Sequence, residues 1–314
     1  MVFISKKQIN GKIRYYLEKS IRLPGGKIKK FSAYLKNYKK GKRPDITSFN
    51  KLHNSIINSI SILYKKSSIF DETTIKKLER IKLEYAEIKK NLNRKQLQDI
   101  IDRFTVNFTY ESNAIEGNSL TLKNVSLIFH ENKALKDKDL REVYETLNTR
   151  EAIKLIFNNK LRVNEKDIIR LHKILMENSG VLKGYKKFPN FILGRNTPTV
   201  PPEKVKHEMD KLIEWYATNN DMHPLQKAAV FHGKFEKIHP FEDGNGRVGR
   251  LLIDIILLNN SYPPLIIRKT DRLSYFSALE SFDCGHEDRL SRFLIDKYKN
   301  TFKNFFQIYM KYIK

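Results

Sequence analysis

Hydrophobic residues recur at helical spacing along most of the chain after residue 45. Leu52, Ile56 and Ile60 stand four residues apart, which places them on one face of a helix. The same kind of spacing, with Asp71 as the N-cap of the second helix, predicts helices over residues 46–63, 74–91, 95–115, 140–158, 165–177, 203–219, 225–238, 247–259 and 288–314. We therefore expect a mainly α fold.

Two stretches depart from this helical pattern. Residues 13–23 and 27–35 are rich in β-forming residues and flank Pro24-Gly25-Gly26, which predicts a small β-hairpin. Residues 185–200 contain two prolines and a glycine and have little helical spacing, which favours an extended flap. We expect three segments: a basic β-hairpin segment (1–45), a helical N-terminal region (46–100) and a main helical domain (101–314).

Composition limits the class of protein. The chain has 314 residues, of which 40% are hydrophobic, enough for a sizeable core. It has no run of about 20 apolar residues that would cross a bilayer, and residues 1–7 lack the apolar stretch of a signal peptide. The single cysteine, Cys284, cannot form an internal disulfide. We expect a cytoplasmic protein with no membrane segment.

Positive charge is concentrated at the N-terminus. The whole chain carries a formal net charge of +25, and residues 1–45 hold 14 lysines and arginines against Glu18 and Asp45. Such a segment attracts polyanions, so a nucleic acid is one candidate partner for residues 1–45. A solvated basic surface without a specific partner explains the same composition, and both interpretations stay open.

The residues with the clearest chemistry lie between positions 238 and 250. Pro240 disfavours a helical conformation at His239, so the helix before it should end there. Gly244 and Gly246 allow a tight turn into a new helix. The free N–H groups and the dipole at the start of a helix favour bound phosphate. The sequence therefore predicts a phosphate-binding turn beside a histidine.

The charged residues of this turn fit the same chemistry. Arg247 and Arg250 are three residues apart, hence on one helix face, and can reach one polyanion. Asp243 stands where a carboxylate could hold Mg²⁺ against phosphate oxygens, and His239 can accept a proton near neutral pH. Together they predict a site for a polyphosphate with a base next to it.

Residues 232–250 have three other interpretations. Gly244-x-Gly246-x-x-Gly249 formally matches a dinucleotide-binding pattern, but that pattern requires a preceding strand and the preceding residues have helical spacing. His232, Glu236 and His239 could imitate a zinc-binding face, although Pro240 disturbs the last turn. A plain capped helix–turn–helix would leave the histidine and both arginines unexplained.

The stretch His-Pro-Phe-x-Asp-Gly-Asn-Gly-Arg-x-x-Arg, from His239 to Arg250, resembles the signature of the Fic family at every defined position. The similarity extends over about residues 105–283 and assigns residues 101–314 to a Fic domain with an inhibitory helix and C-terminal helices. It implies an α-helical bundle with a short β-hairpin flap that begins near Gly184-Tyr185. Many relatives have arginine where this chain has Lys186.

The resemblance also implies an activity and a set of roles. His239 would deprotonate a Ser, Thr or Tyr hydroxyl of a target protein, which would attack the α-phosphorus of ATP and take up AMP. Asp243 would bind Mg²⁺. The nucleotide would lie on Gly244, Asn245 and Gly246, with Asn245 near the α-phosphate, and Arg247 and Arg250 would bind the outer phosphates. Doc-type kinases have lysine at the position of Gly246, so this glycine favours AMP transfer.

Ser112-Asn113-Ala114-Ile115-Glu116-Gly117 resembles the inhibitory motif of the same family. The implied role is a brake in which Glu116 pairs with Arg250 and takes the space of the γ-phosphate, with Ser112 and Gly117 completing the motif. The alternative is an ordinary helix end with Gly117 after the last turn.

Two further functions stay open at this point. The same site could remove AMP from a modified protein, with Glu116 positioning a water molecule. A nucleic-acid-associated regulatory protein, binding through residues 1–45, is the alternative from another class. The sequence leaves open the target protein, self-modification and a homo-oligomer.

Overall fold

Three antiparallel strands are formed by the first residues of the chain: β1 (Val2–Ile9), β2 (Lys12–Arg22) and β3 (Ile28–Tyr34), in the order β1-β2-β3. The sequence predicts only a hairpin here, which corresponds to β2 and β3, so the hairpin is corrected to a three-stranded sheet. Asn10 and Gly11 connect β1 to β2 with φ of 51° and 72°. Asn-Gly with positive φ at both residues is the preferred two-residue hairpin turn, so the sequence does contain the signal for β1.

The computed structural model describes residues 2–23, 26–131, 138–191 and 198–312. Within these, the chain forms two compact units, Met1–Leu83 with Asn220–His223, and Glu84–Asn219 with Pro224–Lys314. The expected segment boundaries at residues 45 and 100 stay a prediction. The turn residues Pro24 and Gly25 lie outside the described residues.

In the first unit, helix α1 (Ile46–Ser61) packs on one face of the sheet. Asp45 caps it, because its carboxylate accepts a hydrogen bond of 2.6 Å from the Ser48 N–H. The apolar stripe predicted from the sequence is buried, as Leu52, Ile56 and Ile60 show. The sheet contributes its own buried residues, Leu17, Phe31, Ala33 and Leu35.

Helix α2 (Glu72–Asn91) begins after Asp71, whose carboxylate accepts a hydrogen bond of 2.7 Å from the Thr74 N–H, as the predicted cap requires. The other helices are α3 (Arg94–Ile115), α4 (Leu122–Glu131), α5 (Leu140–Phe157), α6 (Glu165–Leu175), α7 (Pro202–Thr218), α8 (Pro224–Ile238), α9 (Asn245–Asn259), α10 (Arg272–Asp283) and α11 (Glu287–Thr301). A mainly α fold is therefore confirmed.

Three helical features differ from the prediction. Helices α4 and α10 occupy stretches for which the sequence predicts none. The helix expected over residues 288–314 ends at Thr301, and a π-helical turn (Phe302–Phe306) and a 3-10 segment (Gln307–Tyr312) follow it. Phe306 is fully buried and stacks on Phe104 of α3 at 6.0 Å, so tertiary packing sets the course of the backbone here.

Helix α9 lies in the core of the second unit. All its residues from Arg247 to Leu257 are buried, and α8 packs along it. Two arginines and Asp254 are among these buried residues, which is unusual for a core helix and points to the start of α9 as a site. None of the helices in the described part of the chain combines the length and hydrophobicity needed to span a bilayer. A cytoplasmic location stays a prediction.

Candidate active site

The loop between α8 and α9 begins at His239. Helix α8 ends at Ile238, as Pro240 predicts, and His239 takes a left-handed conformation with φ of 52°. Its N–H still donates to the Phe235 carbonyl at 2.9 Å, which fixes the backbone at this point. The imidazole is partly exposed, and its Nδ1 lies 3.9 Å from Oε2 of Glu236. A histidine oriented in this way, next to a carboxylate, can accept a proton.

The loop closes through Asn245, the first residue of α9. Its side-chain Oδ1 accepts a hydrogen bond of 2.9 Å from the Phe241 N–H, and its Nδ2 donates one of 2.8 Å to the Phe241 carbonyl. Gly244 precedes it in the left-handed conformation, with φ of 81°. The Asn245 side chain thus maintains the shape of the loop, which the sequence does not predict. Its expected place near an α-phosphate stays a prediction.

His172 of helix α6 contacts the loop and fixes its position. The Gly184 N–H donates to His172 Nδ1 at 3.3 Å, so Nε2 carries the proton and donates to the Asp243 carbonyl at 3.1 Å. The ring also stacks on Phe241, with 3.9 Å between ring centroids. Burial lowers the pKa of His172 to about 4, and the hydrogen bond to Asp243 opposes this only in part. His172 is therefore a neutral positioning residue at pH 7.

Arg247 is almost completely buried and makes two ion pairs. Its Nη1 lies 3.1 Å from Oε1 of Glu145 in α5, and its Nη2 lies 3.2 Å from Oδ2 of Asp243. Arg141 also reaches the Asp243 carboxylate, at 3.3 Å. Asp243 itself is 40% exposed, so the carboxylate lies at the mouth of the site with cations on two sides.

Arg250 is buried and bound by the end of α3. Its Nε donates to Ser112 Oγ at 3.0 Å and its Nη2 to the Ser112 carbonyl at 2.8 Å, while Nη2 lies 2.7 Å from Oε1 of Glu116. Burial by itself would lower the pKa of Arg250, but Glu116, together with Tyr275 and Glu236, outweighs it, so the pKa is raised. The expected pairing of Glu116 with Arg250 is thus present.

The end of α3 also has the geometry of an ordinary helix terminus. Gly117 has φ of 101°, its N–H donates to Ala114 O at 3.2 Å, and the Asn118 N–H donates to Asn113 O at 3.1 Å. These bonds form a Schellman motif. The two interpretations of residues 112–117 are therefore compatible, because the helix end sets the position from which Glu116 reaches Arg250.

The glycines of α9 leave room for neighbouring side chains. A Cβ atom at Gly246 would overlap Oε1 of Glu116 and lie 3.0 Å from Nη1 of Arg250. A Cβ atom at Gly249 would collide with Glu236 and would lie 2.8 Å from Cε1 of His232. Gly249 thus serves the close packing of α9 on α8. A helix, and not a strand, precedes the turn, which excludes the dinucleotide-binding interpretation.

The zinc interpretation also lacks support. No group of three His, Cys, Asp or Glu side chains suited to a metal ion occurs among the residues that the structure describes. His232 is instead engaged with Tyr275, whose hydroxyl lies 2.8 Å from Nε2.

The described part of the flap is joined to the loop. Tyr185 pairs with Phe241 in an antiparallel bridge, and the Lys186 N–H donates to the Pro240 carbonyl at 2.9 Å. The Lys186 ammonium donates to Asn190 Oδ1 at 2.7 Å and to Thr199 Oγ1 at 2.9 Å. Lys186 thereby connects the two ends of the flap. The middle of the predicted flap, residues 192–197, lies outside the described residues.

With this geometry in hand, the chain can be compared with known proteins. Residues 162–257 match the family model described as Fic/DOC family. Over these residues, the chain is similar to the Fic/DOC family. The matched residues contain the loop, His239 and both arginines, and they also contain His172 of α6.

Curated relatives agree with this assignment. The chain is 33% identical over 193 residues to the "Protein adenylyltransferase Fic" of Nematostella vectensis, which covers 59% of this chain and 45% of the relative. It is 28% identical over 186 residues to the "Protein adenylyltransferase fic-1" of Caenorhabditis elegans, covering 57% of this chain and 36% of the relative. The chain thus spans less than half the length of these relatives.

Solved structures share the fold. A Fic domain containing signaling protein from Bacteroides thetaiotaomicron has a TM-score of 0.64 at 25% identity, over 71% of this chain and 94% of that chain. Fic-1 from Caenorhabditis elegans has a TM-score of 0.67 at 20% identity, over 86% of this chain and 78% of that chain. The expected Fic-type helical fold is confirmed.

Several residues around the start of α9 are absent from the sequence-based prediction. Glu145, Arg141 and His172 come from α5 and α6, far from the loop in sequence. A single polar or charged residue on a helix does not indicate which residues it will contact in the folded chain. These three residues could therefore be identified only from the fold. The predicted residues from Asp243 to Arg250 do lie together, at the start of α9.

Proposed function

We propose that this chain is a protein adenylyltransferase, which transfers AMP from ATP to a hydroxyl group of a protein. The observation that carries the proposal is the arrangement at the start of α9. An imidazole, a glycine turn and two arginines converge there within twelve residues, on a Fic/DOC domain. The names of the curated relatives support the same activity.

In the proposed reaction, His239 takes the proton of the target hydroxyl. The oxygen attacks the α-phosphorus of ATP, a new O–P bond forms, and the bond to the bridging oxygen of the β-phosphate breaks, so that pyrophosphate leaves. The N–H groups in the first turn of α9 have no partner within the helix and are suited to the phosphate charge. Such preorganised donors, with a positioned base, supply most of the catalysis in this class of reaction.

The two arginines and the Asp243 carboxylate would compensate the negative charge of the nucleotide in different ways. Arg247 and Arg250 would bind the outer phosphates, whose charge rises when pyrophosphate leaves. Asp243 is half-exposed beside these cations, and Mg²⁺ prefers one or two carboxylates together with substrate phosphates. Asp243 therefore fits as the residue that would hold Mg²⁺, which would neutralise phosphate charge.

The proposal includes autoinhibition by Glu116. Its carboxylate occupies the space beside Gly246 and pairs with Arg250, where an outer phosphate would otherwise bind. Two negative groups cannot share one buried arginine without a large electrostatic cost. ATP would thus bind poorly or in an unproductive position until Glu116 moves.

The test is AMP incorporation from labelled ATP, with the 314-residue chain and a cell lysate as the source of targets. We expect Glu116→Gly to incorporate at least about tenfold more label than the wild type. Adding His239→Ala should abolish the gain, since a general base contributes about 10²–10⁴-fold. Glu111→Gln, on the same helix, should behave as the wild type. Equal label in the wild type and Glu116→Gly would refute the brake, and label in the double variant would refute the role of His239.

Removal of AMP is the second candidate for the same site, because Glu116 lies next to the start of α9 and could position water. A time course with a target that already carries AMP separates the two activities. Release of AMP by the wild type, lost in Glu116→Gly, would favour removal.

A further inference from the structure

The N-terminal sheet has two faces of different character. Residues paired across antiparallel strands point to the same side, and successive residues alternate. Leu17, Phe31 and Ala33 point to the side on which α1 packs. The opposite side, here called the outer face, carries Phe3, Lys7, Arg14, Tyr16, Lys30 and Tyr34.

Three aromatic rings lie on the outer face. Tyr16 and Tyr34 are directly opposite each other on β2 and β3, with 5.6 Å between ring centroids. Phe3 lies on the other side of β2, and 44% of Phe3 and 48% of Tyr34 are exposed. Exposed aromatic side chains grouped on one flat surface are unusual unless they contact a partner.

Cationic side chains alternate with these rings. The Lys7 ammonium lies 4.7 Å from the centre of the Tyr16 ring, the Lys30 ammonium lies 5.4 Å from that of Phe3, and the Arg14 guanidinium lies 5.9 Å from that of Tyr34. The one carboxylate of this face, Glu18, is fully buried under Lys7 and Lys30, at 2.9 and 2.5 Å. The outer face therefore presents rings and positive charge to solvent.

We propose that the outer face binds single-stranded nucleic acid, with bases stacked on Phe3, Tyr16 and Tyr34. The phosphates would be bound by Lys7 and Lys30 and by two arginines of β2, Arg14 and Arg22. A sheet surface with exposed rings suits unpaired bases, whose faces are open, whereas a duplex hides the faces of its bases. An acidic peptide or an anionic membrane would use the cations but would not need rings interleaved with them. The strong positive charge of residues 1–45 adds long-range attraction.

The test is fluorescence anisotropy of the 314-residue chain with labelled U12 and dT12, and with a 12-base-pair duplex. Binding should favour the single strands over the duplex by at least about tenfold. Comparison of U12 with dT12 shows whether RNA or DNA is preferred. Equal or tighter binding of the duplex, or no binding to either single strand at low salt, would overturn the proposal. Sedimentation with phosphatidylserine vesicles but no single-strand binding would also overturn it.

Variants separate stacking from charge. Tyr34→Ala and Phe3→Ala should each weaken binding by about five- to tenfold, whereas Tyr34→Phe, which keeps the ring, should not. Phe188→Ala removes an exposed ring of the second unit and serves as the matched control. Unchanged affinity in both alanine variants, with normal circular dichroism, would show that the rings do not stack on bases.

Salt dependence tests the phosphate contacts. Arg14 and Arg22 are on the outer face and do not pair with Glu18, so Arg14→Gln with Arg22→Gln leaves that carboxylate covered. The slope of log affinity against log salt is negative. In this double variant it should become shallower by about 1.4, since each lost contact to a single strand removes about 0.7. The control is Lys39→Gln with Lys40→Gln, which removes the same amount of positive charge from residues outside the strands. An equal change in both pairs would mean unspecific attraction and would contradict a defined site.

Discussion

Gly246 shows how a missing side chain can define a site. Because position 246 has no Cβ atom, the Glu116 carboxylate lies against the first turn of α9 and reaches Arg250. Any larger residue there, including the lysine of Doc-type kinases, would collide with Glu116 in this position. The glycine and the glutamate therefore belong together, although 130 residues separate them in sequence.

His172 makes stability depend on pH. Its folded pKa of about 4 is below the ordinary value of 6.5, so the unfolded chain takes up a proton that the folded chain does not between these two pH values. This contribution to stability is complete above pH 6.5 and is lost as the pH falls toward 4. Between pH 7 and 5 the free energy of unfolding should decrease by about 2 kcal/mol more in the wild type than in His172→Gln. Urea denaturation at both pH values measures it.

The comparison with His172→Gln isolates the histidine beside the loop from the other titratable groups of the chain. Equal pH dependence in the two proteins would show that His172 is protonated in the folded chain. That result would remove its assignment as a neutral donor to Asp243.

Residues from several helices surround the start of α9. α3 contributes Ser112 and its C-cap residue Glu116, and α5 contributes Glu145. α6 contributes His172 and its C-cap residue Met176. The α3 contribution could be predicted from the sequence, because residues 112–117 resemble the inhibitory motif of the family whose signature stands at His239 to Arg250. The other contributions have no such pattern, since a single Glu or His on a helix is common. The sequence thus predicts the loop itself better than its supports.

Gly244→Ala tests the contact between α6 and the loop. At φ of 81° an alanine is strained, and its Cβ atom would lie 2.6 Å from Cε of the buried Met176. Gly180→Ala is the matched control, because Gly180 has φ of 73° and no atom within 4 Å of the added Cβ. Both variants should lose about 1–2 kcal/mol from backbone strain, and Gly244→Ala should lose about 1 kcal/mol more and most of its AMP transfer.

Urea denaturation gives the two stabilities, and label incorporation in a Glu116→Gly background gives the activities. If Gly244→Ala and Gly180→Ala were equally stable and equally active, the packing of Met176 against the loop would have no role.

For the whole molecule, the proposed brake couples stability to nucleotide binding. Without nucleotide, Glu116→Gln removes the carboxylate that pairs with the buried Arg250. It should lower the free energy of unfolding by about 1–2 kcal/mol, since Glu116 is 36% exposed. A ligand that binds only the folded state adds stability in proportion to its affinity. ATP with Mg²⁺ should therefore raise the melting temperature of Glu116→Gln more than that of the wild type.

Thermal unfolding with and without 1 mM ATP measures the effect, and Glu111→Gln serves as the control for a lost charge on α3. A smaller ATP shift in Glu116→Gln than in the wild type would contradict competition between Glu116 and a phosphate for Arg250.

The sequence by itself determined the features that depend on neighbours along the chain. Helical spacing predicted most helices, Pro240 predicted the end of α8 at Ile238, and the motif from His239 to Arg250 predicted the loop, because turns, caps and amphipathic faces are local. A local signal for β1 is also present, in the turn formed by Asn10 and Gly11. Only the tertiary structure decided that Glu145 contacts Arg247 and that His172 contacts the loop. It also decided that a π-helical turn containing the buried Phe306 follows the last α-helix, and that rings and cations lie on the same face of the sheet. These features arise from contacts between residues distant in sequence, and such contacts exist only once the elements have packed.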